Sequence, residues 1–205
     1  MMVDRLPVGE LEANCYLLRT ANGGGWIVDP GAEPERILLS VKELHFTPEA
    51  VLLTHAHFDH MGAAAAVCAA LQIPLWVGAA DTGFLTDPVG NLSGVFGGVP
   101  IVDLHADRLL REGAILQQGA ESLRVLETPG HTPGSVCFVG ADVVLTGDTL
   151  FCQSVGRTDF PGGDRIAMQR SLVKLMTLPD KSVIYPGHGA PTTLGRERCT
   201  NPFVI

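Results

Sequence analysis

Residues 51–60 read VLLTHAHFDH. Apolar, β-favouring residues run straight into three histidines and an aspartate packed within six positions. On an extended segment alternate side chains share a face, so His55 and His57 point the same way and can grip one ion between their rings. Asp59 and His60 follow where the sequence turns helical, at MGAAAAVCAALQ (61–72). Adjacent helical residues splay by roughly 100°, so this pair can serve a second ion beside the first. Imidazole is the commonest transition-metal ligand, and histidine at this density reads as a metal site rather than a polar surface turn.

Working outward, NCYLLR (14–19) and GWIVD (25–29) are two β-strands joined by the turn-forming TANGGG, hence a hairpin. Asp29-Pro30-Gly31 closes the second strand. A helix follows, with Pro34 in its first turn and Ile37, Leu38, Val41 and Leu44 on one apolar face. After the alanine-rich helix, IPLWVG (73–78) is a short strand that Pro74 places near a sheet edge. The Gly-, Pro- and Asp-rich stretch 81–105 matches no regular element. AILQQGAESLRVLE (114–127) and VCFVGADVVLTGD (136–148) are two further hairpins. Asp164 caps a helix over 164–177 with Ile166, Leu172, Leu175 and Met176 inward. SVIYPGH (182–188) is a last strand and its turn.

At 205 residues, with 46% apolar and 18% charged residues, the chain has the size and composition of one buried-core domain, 1–205. The net charge of −8 repels phosphate backbones and anionic lipid, which argues against nucleic-acid and membrane partners. The amino terminus carries no basic segment followed by an apolar run, and no stretch has the ~18 consecutive apolar residues of a membrane span, so the expected location is cytoplasmic. Five scattered cysteines, odd in number and never in CxxC spacing, point to neither a disulfide framework nor a thiolate zinc site. They read as reduced, mostly structural thiols.

Four β-like runs end alike: VLLT before His55, LRVLETPG before His131, VVLTG before Asp148 and SVIYPG before His188. Gly and Pro at these ends permit sharp turns that present a side chain at the rim of a sheet. Five of the seven histidines fall in these motifs, leaving His45 and His105 for surface or hydrogen-bonding roles. Side chains gathered at strand ends imply one shared site.

THAHFDH followed by isolated His131, Asp148 and His188 resembles the metallo-β-lactamase superfamily, over essentially the whole chain. PGHTPGS, TGDTLF, VGRTDFPGGD, YPGHG and the terminal TTLGRERCTNPF make it most similar to the short glyoxalase II-like hydrolases. The resemblance implies an α/β fold, an αββα sandwich of two mixed β-sheets flanked by helices with the metals at one sheet edge. It implies that His55, His57 and His131 hold one divalent ion, that Asp59, His60 and His188 hold another, and that Asp148 bridges them. Zinc is the first expectation, with iron or manganese as alternatives. Two ions ~3.5–4 Å apart acidify water towards a pKa of ~7 and polarise a carbonyl, which suits hydrolysis of a glutathione-linked thioester such as S-D-lactoylglutathione. Asp59 is also expected to orient the attacking hydroxide. Arg157, in the GRTDF stretch, is a candidate for holding an anionic substrate group or, equally, for pairing with Asp159.

The longer glyoxalase II enzymes carry an added helical region that grips glutathione, and this sequence stops at Ile205, which makes glutathione less secure than thioester cleavage. A true β-lactamase is disfavoured, because zinc forms commonly place cysteine where Asp148 stands and no export signal precedes the domain. The nuclease branch needs a basic surface that this acidic chain lacks. The rival reading is a persulfide dioxygenase, with a single iron held by His55, His131 and Asp148.

Overall fold

The computed structural model describes residues 1–96 and 99–204. The first sheet comprises β1 (Met2–Val8), β2 (Ala13–Arg19), β3 (Gly24–Val28), β4 (Thr47–Leu52), β5 (Leu75–Gly78) and β6 (Arg108–Leu110), in that spatial order. The first three pair antiparallel and the last four parallel. Helix α1 (Pro34–Glu43) makes the β3–β4 crossover, and α2 (Phe58–Met61) with α3 (Ala64–Leu71) makes the next. The second sheet contains β7 (Ile115–Gln118), β8 (Glu121–Glu127), β9 (Val136–Val139) and β10 (Val143–Gly147). A small ribbon of β11 (Leu150–Phe151) and β12 (Ser154–Val155) precedes α4 (Arg165–Leu175). The chain then returns through β13 (Val183–Pro186) and β14 (Thr192–Thr193) to α5 (Leu194–Thr200), giving the order β14-β13-β10-β9-β8-β7.

The strand period of two sorts side chains into layers. On β2 and β3, Leu18, Trp26 and Val28 face the second sheet and meet Leu123, Val125, Phe138 and Leu145. Their alternates Leu17 and Ile27 face outward, onto Ile37 and Val41 of α1 and Ala64 and Val67 of α3. On the far side Met168, Leu172 and Leu175 of α4 cover Cys137, Val144 and Ile184. Both sheets are buried on both faces, which is why their central strands are written as near-continuous apolar runs. The result is the expected αββα sandwich.

Three local expectations change. The helix expected over 61–72 is interrupted, because Ala63 N–H donates to Pro30 O at 2.9 Å and a Cβ on Gly62 would run into Gly31 O. The Asp29-Pro30-Gly31 turn thus packs between α2 and α3 and sets Asp59 and His60 on a separate turn. Strand β5 is not at the edge: it pairs with both β4 and β6, and Pro74 precedes it, where a missing N–H costs no ladder bond. Ile166 is 66% exposed, and the inward face of α4 is Met168, Ser171, Leu172 and Leu175. The side chain of Asp164 caps that helix as expected, accepting from Ile166 N and Ala167 N. Stretch 81–105 begins inside a 3₁₀ turn, Ala79–Leu85, and continues in irregular turns; its residues 97 and 98 lie outside the described ones. All five cysteines are free. Among the described residues no helix is long and apolar enough to cross a membrane.

Candidate metal centre

The ends of β4, β8, β10 and β13 lie along one rim of the sandwich, and the loops leaving them bring together His55, His57, His131, Asp148 and His188, with α2 adding Asp59 and His60. Ligand-capable atoms of His55, His57 and His131 lie within 4.8 Å of one another, as do those of Asp59, His60 and His188. Asp148 sits between the two sets. Its Oδ1 is 3.4 Å from His60 Nε2, and its Oδ2 is 3.4 Å from His131 Nε2 and 3.7 Å from His188 Nε2. His45 and His105 stay outside on the exposed surface.

Groups behind the rings decide which nitrogen faces inward. His131 Nδ1 donates to Arg157 O at 2.7 Å and His188 Nδ1 to Leu11 O at 3.1 Å. A carbonyl only accepts, so each ring holds a proton on Nδ1 and turns Nε2 to the centre. His60 Nδ1 faces Asp29 Oδ2 at 3.0 Å, leaving Nε2 inward. His57 Nδ1 meets His131 Nε2 at 2.9 Å, and His60 Nε2 meets His188 Nε2 at 3.2 Å. Among the described residues, four buried side-chain polar atoms lack a partner: His55 Nε2, His57 Nε2, Asp148 Oδ1 and, away from the site, Trp26 Nε1. Buried polar atoms are ordinarily satisfied. Three orphans in one cluster, among converging imidazole nitrogens and carboxylate oxygens, fit divalent cations of the zinc, iron or manganese type.

The two sets differ electrostatically. Burial holds His55 well below the usual imidazole range and, with His131 adding to it, pushes His57 down to about 3. Those rings are neutral, the form that ligates. In the other set burial works against the charge on His60, but Asp59, Asp148 and Asp29 outweigh it and raise the group to about 10. Burial likewise opposes ionisation of Asp59, yet His60 and His188 hold it well below the usual carboxylate range. A cation entering here would replace a proton already shared among carboxylates and imidazoles.

Two carboxylates absent from the sequence-level site complete it. Asp29, 1% exposed and left-handed at φ 51°, accepts from Thr54 N at 2.7 Å and Thr54 Oγ1 at 2.6 Å as well as facing His60. Its signal was present in Asp29-Pro30-Gly31, a fifth strand end of the same style. Asp81, fully buried, accepts from Ala56 N at 2.9 Å, Thr132 Oγ1 at 2.7 Å and Gly134 N at 2.6 Å, and so ties the first histidine loop to the His131 loop. A single aspartate in an unassigned stretch offered no signal. Arg157 lines the cavity over the site, but its guanidinium bonds Asp159 twice, at 2.9 and 2.7 Å, and stacks 4.1 Å from the centroid of Phe160.

Layered sheets with a histidine- and aspartate-rich rim define a metallohydrolase-type sandwich. Residues 8–188 match the metallo-beta-lactamase superfamily model, and the chain belongs to that superfamily. It is 40% identical to the probable metallo-hydrolase YqgX of Bacillus subtilis (98% of this chain, 96% of the relative). It is 36% identical to the hydroxyacylglutathione hydrolase GloC of Haemophilus influenzae (100% and 98%). Among solved structures, the BLEG-1 B3 metallo-beta-lactamase superposes with a TM-score of 0.95 at 39% identity, covering 100% of both chains. TTHA1623 in a di-iron-bound form gives 0.86 at 40% (98% and 100%), and ETHE1 from Myxococcus xanthus gives 0.81 at 31% (98% and 84%). The family and the metal-capable clusters make this chain a member of a metallohydrolase family.

Proposed function

We propose that residues 1–205 act as one domain, a binuclear metal-dependent thioester hydrolase cleaving S-(2-hydroxyacyl)glutathione such as S-D-lactoylglutathione to free thiol and 2-hydroxy acid. The observation that carries this reading is the Asp148 carboxylate, which faces both sets: Oδ1 lies 3.4 Å from His60 Nε2, and Oδ2 lies 3.4 Å from His131 Nε2 and 3.7 Å from His188 Nε2. A carboxylate placed between two ligand sets could serve an ion in either. His55, His57 and His131 would hold one ion and Asp59, His60 and His188 the other, zinc before iron or manganese. When bound, such a pair supplies acidified water and polarises a carbonyl oxygen.

The chain's own residues do the rest. Asp59 keeps its negative charge, so it serves as ligand and as an acceptor that orients the attacking water. Phe84 and Phe160, with ring centroids 6.5 and 6.0 Å from that of His57, wall the site against bulk water and strengthen its electrostatics. A thiolate leaves without prior protonation, so the site needs no dedicated acid. Arg157 meets a substrate carboxylate by exchanging it for Asp159, a surface pair whose separation costs little. The likeness to GloC supports the glutathione thioester, and the acidic charge of −8 fits a cytoplasmic enzyme of a small molecule, without nucleic acid or membrane.

Metal counting by elemental analysis, followed by a substrate panel led by S-D-lactoylglutathione, tests the proposal. About two ions per chain with thioester turnover support it. About one iron with oxygen consumption on glutathione persulfide would instead establish the dioxygenase chemistry. Turnover of β-lactams with every thioester inert would overturn the thioesterase reading in favour of the activity named for BLEG-1.

A further inference from the structure

We infer that the candidate site continues into a second, apolar groove that takes the acyl chain of the substrate, so that thioesters with long unbranched acyl groups are cleaved better than the lactoyl thioester. The inference rests on the thioesterase reading. The cavity over the metal centre measures about 410 Å³. Apart from the candidate ligands and Arg157, its walls are apolar, among them Leu11, Phe58, Phe96, Phe151 and Phe160. A second cavity of about 730 Å³ shares Leu11, Phe58, Asp59 and Phe96 with the first and runs on to Ala32, Ala63 and Ile101. Both volumes fall in the range of small-molecule sites, roughly 300–1,000 Å³. A lactoyl group, three carbons long, ends in the first cavity and leaves the second unused.

The floor of the groove is kept small by the fold. A Cβ on Gly31 would strike Asp59 O, and one on Gly62 would strike Gly31 O, so neither position admits a side chain. At the junction of the two cavities Leu11 is 54% and Phe96 62% exposed, large apolar side chains that an acyl chain lying across them would cover. Charge sets the orientation. Among the described lining residues Arg157 is the one Lys or Arg, and it lines the first cavity, with the candidate ligands Asp59 and Asp148; Asp59 borders both cavities, and the second adds the carboxylates of Glu10 and Glu33. An anionic thiol carrier is repelled from the second groove and attracted toward Arg157, which leaves the groove to the uncharged acyl chain.

The test is a series of glutathione thioesters, from acetyl and lactoyl through butyryl and hexanoyl to octanoyl, hydrolysed by the metal-replete full chain. The expected result is a rise in kcat/KM of about two- to fourfold per methylene, reflecting what a buried methylene is worth, up to a plateau. Ala32→Phe, which narrows the groove, and Leu11→Asp, which charges its entrance at an exposed position, should each lower the octanoyl-to-acetyl ratio of kcat/KM by about tenfold or more. The ratio is taken within one preparation, so partial misfolding cancels. A flat or falling series, or a ratio unmoved in both variants, overturns the acyl groove while short thioesters are still cleaved. No cleavage of any member overturns the thioesterase reading and this inference with it.

Discussion

Asp29 and His60 stand 31 residues apart in the chain and 3.0 Å apart in space, carboxylate Oδ2 against imidazole Nδ1. The same carboxylate receives the amide and hydroxyl of Thr54, one residue before His55. One buried group therefore orients a ligand candidate of the second set and anchors the loop of the first. Asp29→Asn keeps the size but gives up one acceptor oxygen. Groups of this kind are worth 10–100-fold in metal affinity. We expect a loss of about that size, measured by competition with a chromophoric chelator; an unchanged affinity would remove Asp29 from the metal centre.

Asp148→Ala deletes the carboxylate that faces both histidine sets. Two-metal occupancy and activity should fall together, with kcat/KM down by at least about 100-fold, beyond the range typical of groups behind the ligands. Full metal content with retained turnover would sink the bridging assignment.

Asp81→Ala strands the amides of Ala56 and Gly134, both buried donors. A buried unsatisfied donor costs about 1–3 kcal/mol, and Thr132 retains Ser135 Oγ at 2.7 Å as a partner. The folded state should lose about 3 kcal/mol in urea unfolding. A loss below about 1 kcal/mol would mean that the two loops hold their positions without this tie.

Gly187 immediately precedes the candidate ligand His188, and the Cβ that Gly187→Ala adds would collide with Asp148 Oδ1 and lie 2.8 Å from His60 Cε1. Gly187 N–H also donates to Gly147 O at 2.8 Å, so the backbone has little room to withdraw. The variant should stay folded by circular dichroism and bind fewer than two ions per chain; wild-type metal stoichiometry would contradict the crowding seen here.

Chelation should lower thermal stability as well as activity. A cation that binds the folded chain alone stabilises it by about 4 kcal/mol at a free concentration 1,000 times Kd. Dialysis against a strong chelator should therefore lower Tm, and readdition of zinc, iron or manganese should restore it. A Tm indifferent to metal would argue against ions bound at this rim.

Much of the centre is legible along the chain because ligation is local in its spacing. His55 and His57 fall two apart on an extended segment, and His131, Asp148 and His188 each follow an apolar strand broken by Gly or Pro. A strand that runs through a core and stops must stop at the rim, so four such endings converge once the strands align. Layering was legible for the same reason: apolar runs such as CYLL and WIV are written for burial on both faces.

What the sequence by itself determined is the set of side chains able to meet at the rim and the strands that carry them. What only the tertiary structure decided is the non-local part. Asp29 and Asp81 make hydrogen bonds to partners 25 or more residues away. The helix break at Gly62 comes from the Asp29-Pro30-Gly31 turn pressing on it, and the exposure of Ile166 from which face of α4 met the second sheet. The cavity continuing past Leu11 and Phe58 likewise exists only where loops from separate strands close on one another. Periodicity and spacing encode a residue's relation to its chain neighbours, whereas packing and buried polar pairing are settled between segments that no local pattern relates.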